Sequence, residues 1–242
     1  MNKLAIIAAT GLGVAVVSVV ALASMGMDKL GDHFGEQFAQ SLFDGETCGK
    51  TQATATSRSI AWDGDDSVSV DVPANIHYQP GGGDRVEVRG DPMILSHLRV
   101  RNGRIDLDCS LHRWHGQRVD ITLPGREFRK FNIAGLEDME LQQIDQPSLK
   151  ISIAGKADVT ASGKVDDLKL EIAGKGDLHL KDLIAQRLDL DIAGRGDVET
   201  SPIEDADISI AGSGDVALYT EPRHISTSIF GSGHIKHLAG KS

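Results

Sequence analysis

A six-residue phrase, Ile-Ala-Gly-x-Gly-Asp or a close variant, recurs six times in the second half of the sequence. A repeat this regular constrains the fold more than any other signal, because every copy must adopt the same small structural unit. The copies are 18 to 20 residues apart, counted between their leading isoleucines, Ile133, Ile153, Ile172, Ile192, Ile210 and Ile229.

Apolar and polar residues alternate on both sides of each phrase. Leu168 and Leu170 lead to Ile172, and Leu178 and Leu180 follow it, with polar residues between them. This period of two is typical of strands with one buried face. A unit of short strands cannot bury its own apolar side, so successive copies must stack. We therefore expect an all-β protein, a parallel β-helix (solenoid) with coils of roughly 19 residues.

Each position of the phrase has a predicted role in such a coil. The isoleucines point inward, and the glycines form corners where close backbone approach or a positive φ excludes a Cβ atom. The predicted corner glycines are Gly155, Gly174, Gly194, Gly212 and Gly231. The aspartates would stack in one column, made of Asp138, Asp158, Asp177, Asp197 and Asp215.

Two explanations fit the aspartate column. In the first, each carboxylate accepts backbone N–H groups of its own corner and pairs with the basic residues Lys156, Lys175 and Arg195. In the second, a cation such as calcium binds the ladder through Asp158, Asp177, Asp197 and Asp215. We favour the structural role, because calcium-binding β-rolls have a nine-residue repeat that this chain lacks. The sequence predicts no cofactor.

An uncharged stretch from Leu4 to Met27 follows Lys3. It is long enough for a membrane-spanning anchor, and Ala21-Leu22-Ala23 would suit a signal-peptide cleavage site. Both alternatives put the rest of the chain outside the cytoplasm. The predicted organisation is a signal peptide or anchor (1–27), an amphipathic stalk and linker (28–58), a strand-rich first part of the β-helix (59–130), the repeat coils (131–238) and a tail (239–242).

Cys48 and Cys109 are the two cysteines of the chain. In an exported protein they would form one disulfide, which would tie the linker to the first strands. Two unpaired buried thiols are the alternative. A metal site at Cys109, His112 and His115 would compete with the disulfide and would require a loop.

The part before the repeats shows local turn and helix signals. Residues 80–84, Pro-Gly-Gly-Gly-Asp, are typical of a hairpin turn between two strands. Asp91 and Pro92 predict the start of a short helix that continues to Leu98. Asn102-Gly103 predicts a tight hairpin, since both turn positions need positive φ.

Charge and motif content narrow the possible functions. The net charge of −10 argues against nucleic-acid binding. The sequence has neither a Gly-x-Ser-x-Gly nor a His-Glu-x-x-His motif. Coils that differ by only two residues in length leave no room for the loops that wall an active-site cleft. We therefore expect a protein that is not an enzyme.

The repeated phrases, the Val119–Pro124 strand and the helix at Asp91 with the following Arg104–Leu107 strand resemble the autotransporter-adhesin head GIN domain family over about Ser67 to Leu238. The first two copies depart from the family pattern by lacking the second glycine, at Glu137 and Ala157. The resemblance implies a right-handed parallel β-helix outside the cytoplasm, without catalytic activity.

Three functions follow as expectations. The first is a binding or adhesin surface of the bacterial cell envelope, and the second is a structural envelope protein that acts through one protein partner. The third, a carbohydrate-active enzyme, is the least favoured. The expected partners are a surface glycan or an envelope protein, with the membrane reached through the N-terminal segment and no nucleic acid. The open end of a solenoid could also stack on a second copy.

Overall fold

The computed structural model describes Cys48, residues 53–109 and residues 118–238. These residues belong to one compact unit, Glu46–Ser242. The predicted N-terminal anchor and most of the predicted stalk lie outside the described residues, as do His112 and His115. No helix in the described part of the chain is long and apolar enough to cross a membrane.

The described residues are mainly β-structure, with one short helix, α1. The elements in chain order are β1 (Ser57–Ala61), β2 (Ser67–Val70), β3 (Ala74–Tyr78), β4 (Arg85–Arg89), α1 (Pro92–His97), β5 (Leu98–Arg101), β6 (Arg104–Leu107), β7 (Val119–Thr122), β8 (Lys130–Ile133), β9 (Leu136–Ile153), β10 (Lys156–Ile172), β11 (Lys175–Leu218) and β12 (His224–His237).

The repeats form a parallel β-solenoid, as predicted. Strands β9 and β10 have 18 and 17 residues, and each follows nearly one whole coil as a single extended strand. β10 pairs in parallel with β9 and with β11, and β11 pairs in parallel with β12. The coils are therefore less interrupted than the sequence suggested, because the backbone stays paired through most of the corner.

The leading isoleucines form an inward ladder through the centre of the solenoid. Each of the first five is at most 2% exposed. Burying one such side chain stabilises the fold by about 1.5–3 kcal/mol, so the ladder is a major part of the core energy. The last member, Ile229, is 40% exposed, because it lies in the final described coil.

Glycine at the third position of the phrase is required by close backbone contact between coils. The N–H of Lys175 donates to the carbonyl oxygen of Gly155 at 2.8 Å, and the N–H of Arg195 donates to that of Gly174 at 2.9 Å. A Cβ atom added at Gly174 would collide with the carbonyl oxygen of Gly155. Any side chain here would push neighbouring coils apart.

The structure corrects the hairpin predicted at residues 80–84. Strands β3 and β4 are not paired with each other, because β7 lies between them. β7 pairs in parallel with β3 and antiparallel with β4. The loop is therefore a wider connection that crosses one strand. A strand that arrives more than thirty residues later occupies the position next to β3, and local turn chemistry cannot reveal it.

The helix and the tight hairpin predicted before the repeats are both confirmed, with one change in the end of the helix. Asp91 caps α1 by accepting the N–H of Met93 at 2.8 Å. Asn102 and Gly103 have φ values of 50° and 75° and join β5 to β6 in an antiparallel hairpin. Leu98 was expected in the helix but is the first residue of β5, and its side chain is buried.

The N-terminal end of the solenoid is closed. Helix α1 buries Ile94 and Leu95 in the core and contacts β1. The guanidinium of Arg58, on β1, donates to the carbonyl oxygens of Leu95 and Leu98, the latter at 3.0 Å. Antiparallel strands thus end the sheet here, and the helix covers the first coil.

Candidate functional site

The five aspartates of the repeat lie in one outward column. Asp138 and Asp177 are the register neighbours of Asp158 on either side. The next two members follow one coil apart, and the N–H of Asp215 donates to a carboxylate oxygen of Asp197 at 3.2 Å. Neighbouring carboxylates in a parallel sheet are about 4.8 Å apart at the backbone.

A second outward column lies two residues further along each strand and therefore on the same face. Its register members are Glu140, Thr160 and His179, followed one coil later by Glu199. We call the surface formed by these two columns the acidic face. His179 Nδ1 lies 3.3 Å from Glu199, and its Nε2 lies 3.9 Å from Asp158. The imidazole of His179 thus lies between two carboxylates in the middle of the face.

The predicted basic column compensates the aspartates only in part. Lys175 Nζ lies 3.2 Å from the carboxylate of Asp177. Arg195 instead donates to the hydroxyl of Ser213 at 3.5 Å, and Lys156 forms no ion pair with an aspartate of the column among the described residues. The backbone N–H that Asp197 accepts comes from the next coil and not from its own corner. The column is therefore stabilised by contacts between coils.

Both ends of the column have cations from other segments. Arg118 pairs with Asp138 at one end. Lys236 lies 2.8 Å from Asp215 at the other end, and this hydrogen bond lowers the pKa of that carboxyl. The four side chains are between 33% and 56% exposed, so each pair contributes little to stability. They place one cation at each end of the column, in addition to Lys175 beside Asp177 in its middle.

In the described part of the chain, the atoms that could bind a metal ion come closest together away from the aspartate column. Among the described residues, one group of three potential ligands has its atoms within 4.8 Å of one another, and it consists of His97, Asp108 and Cys109. The aspartate column does not bring three ligand atoms together in this way. The sulfur of Cys109 is already bonded to that of Cys48, with a Cα–Cα distance of 4.9 Å.

An open cleft of about 600 Å³ continues the acidic face toward the closed end. The glycine-rich loop, Gly81 to Gly83, forms one wall, and Arg85, His77 and Glu140 contribute its polar groups. His77 Nδ1 lies 3.1 Å from Glu140. Hydrogen bonds from Gln142 and His77 lower the pKa of Glu140, so this carboxyl is held ionised at the cleft. The sequence predicted only a turn at this loop. The cleft could not be predicted, because it exists only where β7 separates β3 from β4.

Glu137 has a buried carboxyl group. In the sequence it is noticeable only because it replaces the second glycine of the phrase. It is 1% exposed and occupies the inward position that Ala157 and Gly176 take in the next coils. One carboxyl oxygen accepts the N–H of Gly135 at 3.1 Å, and the other has no hydrogen-bond partner among the described residues. Burial, helped by the negative charge of Asp71, raises the pKa of Glu137 to about 8.

The chain is similar in structure to several bacterial proteins. A crystal structure described as a "putative adhesin" from Bacteroides fragilis NCTC 9343 matches 78% of this chain and 100% of its own, with a TM-score of 0.56 and 18% identity. This likeness shows the shared fold. A "putative lipid binding protein" from Parabacteroides distasonis matches 76% of this chain and 98% of its own, with a TM-score of 0.41 and 18% identity.

The sequence also matches one protein family, while no curated protein matches it. The family is described as "Putative auto-transporter adhesin, head GIN domain", and the match covers residues 66–222. These residues contain nearly all of the solenoid and all but the last copy of the phrase. Because the match spans well over half of the chain, the protein belongs to this head GIN domain family.

Proposed function

We propose that this protein is a non-catalytic binding domain of the bacterial cell envelope, and that its acidic face holds a surface glycan. The observation that carries the proposal is the regular row of exposed groups along the face. Asp138 and Asp158 have side chains that are 54% and 53% exposed, and His179 is 50% exposed. Stacking repeats these groups about every 4.8 Å.

The chemistry of the face suits the hydroxyl groups of a linear sugar chain. Carboxylates accept hydrogen bonds from hydroxyls, while histidine and threonine can donate or accept them. Thr160 lies beside His179 in register and adds a hydroxyl at the centre of the face. The excess of negative charge repels anionic polymers, so the proposed ligand is a neutral or amino-bearing glycan.

The proposed location outside the cytoplasm rests on two observations. The first is the disulfide between Cys48 and Cys109, a bond that persists in oxidising compartments. The second is the family, whose description refers to autotransporter adhesins. Within this proposal, the apolar segment at residues 1–27 exports the chain, either as an anchor or as a signal peptide.

An enzymatic role is less well supported by the same surface. The carboxyl with a strongly raised pKa, Glu137, is sealed in the core and cannot reach a substrate. The carboxyl in the cleft, Glu140, has a lowered pKa, which makes it a poor general acid. Binding without turnover is therefore the function that the geometry favours.

The test is binding of the purified protein to a panel of bacterial surface glycans. A variant with Asp158→Asn and Asp177→Asn removes two charges from the centre of the acidic face. The matched control, Asp189→Asn with Asp191→Asn, removes two charges from the segment before the phrase on β11. We expect the first variant to lose binding at least tenfold and the control to bind like the parent.

Three outcomes would redirect the proposal. If no glycan binds and one envelope protein co-purifies from membranes, the scaffolding alternative replaces it. Turnover of a polysaccharide that disappears with Asp158→Asn and Asp177→Asn would favour an enzyme. Equal losses in the two variants would show that overall charge, and not the acidic face, carries the binding.

A further inference from the structure

The last described coil, β12, leaves part of the solenoid core uncovered. It pairs with β11 along one edge, and no strand of the described residues pairs with the other edge. Ile225 and Ile229 stack on the buried Ala206 and Ile210, yet they are 44% and 40% exposed. Phe230 stands at the alanine position of the phrase and is 77% exposed. This edge presents apolar side chains together with unpaired backbone groups.

The first two thirds of this edge, residues 225–233, lack the features that usually prevent strand addition. Natural edge strands carry charges, prolines or bulges, because an open row of N–H and C=O groups can pair with another chain. Residues 225–233 of β12 contain no charged residue and no proline. The register with β11 is also continuous from His224 to His237, so no bulge interrupts β12. The unpaired N–H and C=O groups of this edge can therefore form hydrogen bonds with an added strand.

The sequence of this edge contains a palindrome, so two copies can pair with like residues opposite each other. Residues 225–229 read Ile-Ser-Thr-Ser-Ile, which is the same in both directions about Thr227. In an antiparallel pair of two identical strands centred on that threonine, Ile225 faces Ile229 of the second copy. The serines then face each other on the outer side. Such a pairing would continue the apolar core across the junction and match every side chain of the segment with one of similar character.

We propose that β12 pairs antiparallel with β12 of a second copy of this chain, about a twofold axis at Thr227. Just beyond the palindrome, His224 would face Phe230 of the second copy and cover the most exposed apolar ring. The proposal does not depend on the ligand of the acidic face.

The closed N-terminal end determines the kind of assembly. Helix α1 covers that end, and antiparallel pairs already finish the sheet there, β4 with β7 and β5 with β6. The exposed apolar side chains Ile225, Ile229 and Phe230 lie at the β12 end, so we expect this end to meet the same end of a second copy, with the same patch on both copies. Such an isologous contact closes as a dimer and does not extend into a fibre. The dimer would present two acidic faces on one continuous solenoid.

Cross-linking of the full chain in membranes or detergent tests the twofold axis. In Thr227→Cys the new thiol is free, since both native cysteines are in the disulfide. The two thiols face each other directly at the axis, so mild oxidation should join most of this variant by a disulfide into a band of twice the mass on a non-reducing denaturing gel. The matched control is Thr160→Cys, at an exposed threonine on β10. It should run at the mass of one chain on the gel, because its two thiols are far apart in the proposed dimer. An unlinked Thr227→Cys, or equal linking of both variants, would overturn the proposal.

Sedimentation of the detergent-solubilised full chain tests the same contact without a cross-linker. The parent protein should have twice the mass of one chain. Thr227→Lys places a charge at the axis and should halve the mass, whereas the control Thr160→Lys should remain dimeric. A parent that is monomeric at about 100 µM, where even micromolar complexes form, would contradict the proposal. A series of masses above the dimer would contradict the closed pair. If Thr227→Lys does not fold, the cross-linking result decides.

Discussion

The buried carboxyl of Glu137 should make the stability of the solenoid depend on pH in a defined direction. Its pKa is about 8 in the folded protein, compared with an ordinary value of 4.5. The folded state therefore holds this proton more tightly than the unfolded chain. The resulting stabilisation is fully present below pH 4.5 and is lost as the pH rises through about 8.

The size of the effect follows from the two pKa values. Each pH unit between them costs about 1.4 kcal/mol of the free energy of unfolding. At pH 7 the loss is about 3 kcal/mol, and above pH 8 it approaches about 5 kcal/mol. These are large fractions of the 5–15 kcal/mol that stabilise a typical domain. The physical cause is the removal of a carboxylate from water, which the N–H of Gly135 and the positive charge of Arg118 offset only in part.

Glu137→Gln isolates this ionisation. Glutamine has the shape of the protonated acid and keeps an oxygen to accept the N–H of Gly135. The free energies of unfolding of the parent and the variant should be measured in urea at pH 5, 7 and 9. We expect similar stability at pH 5 and an advantage of the variant that grows to several kcal/mol at pH 9. Other titrating groups cancel in the difference. A difference that does not change with pH would refute the buried, destabilising carboxylate.

Two further predictions concern the core and the disulfide. Ile192→Asp puts a charge into the centre of the isoleucine ladder and should cost several kcal/mol or abolish the cooperative thermal transition. Ala193→Asp, its exposed neighbour, should melt within a few degrees of the parent, and equal behaviour of both variants would refute the inward assignment. Reduction of the bond between Cys48 and Cys109, which are 61 residues apart, should cost about 4 kcal/mol of stability. An unchanged denaturation midpoint after reduction would contradict this estimate.

The repeated part of the fold could be predicted from the sequence because its signal is local and redundant. Every copy of the phrase places an isoleucine in the core and a glycine where neighbouring backbones touch. An error in one copy is corrected by the others. The register of the columns then follows from the spacing, as Asp138, Asp158 and Asp177 show.

The first coil could not be predicted in the same way. The position of β7 between β3 and β4 depends on contacts between residues far apart in sequence, and the signals at residues 80–84 describe only the local bend. The cleft beside Arg85 therefore had no sequence signature. The burial of the Glu137 carboxyl could not be predicted either. A glutamate at a glycine position of the phrase is recognised as buried only when the position of the neighbouring coil is known.

The proposed self-pairing of β12 depends on the sequence and the structure together. The palindrome at residues 225–229 can be read in the sequence, but it has no meaning until β12 is known to be an edge strand. The exposed fractions of Ile229 and Phe230 supply that context. A residue at the corresponding place in an inner coil, such as Ile210, is buried by the coil that follows it.

The measurement that tests the central claim most directly is fractionation of intact cells with N-terminal sequencing of the mature protein. The claim is that this solenoid acts outside the cytoplasm, in the cell envelope. We expect the protein in the envelope or extracellular fraction, with Cys48 and Cys109 oxidised and an N-terminus that is either intact or cleaved near Ala23. A protein found in the cytosolic fraction with both thiols free would contradict the claim.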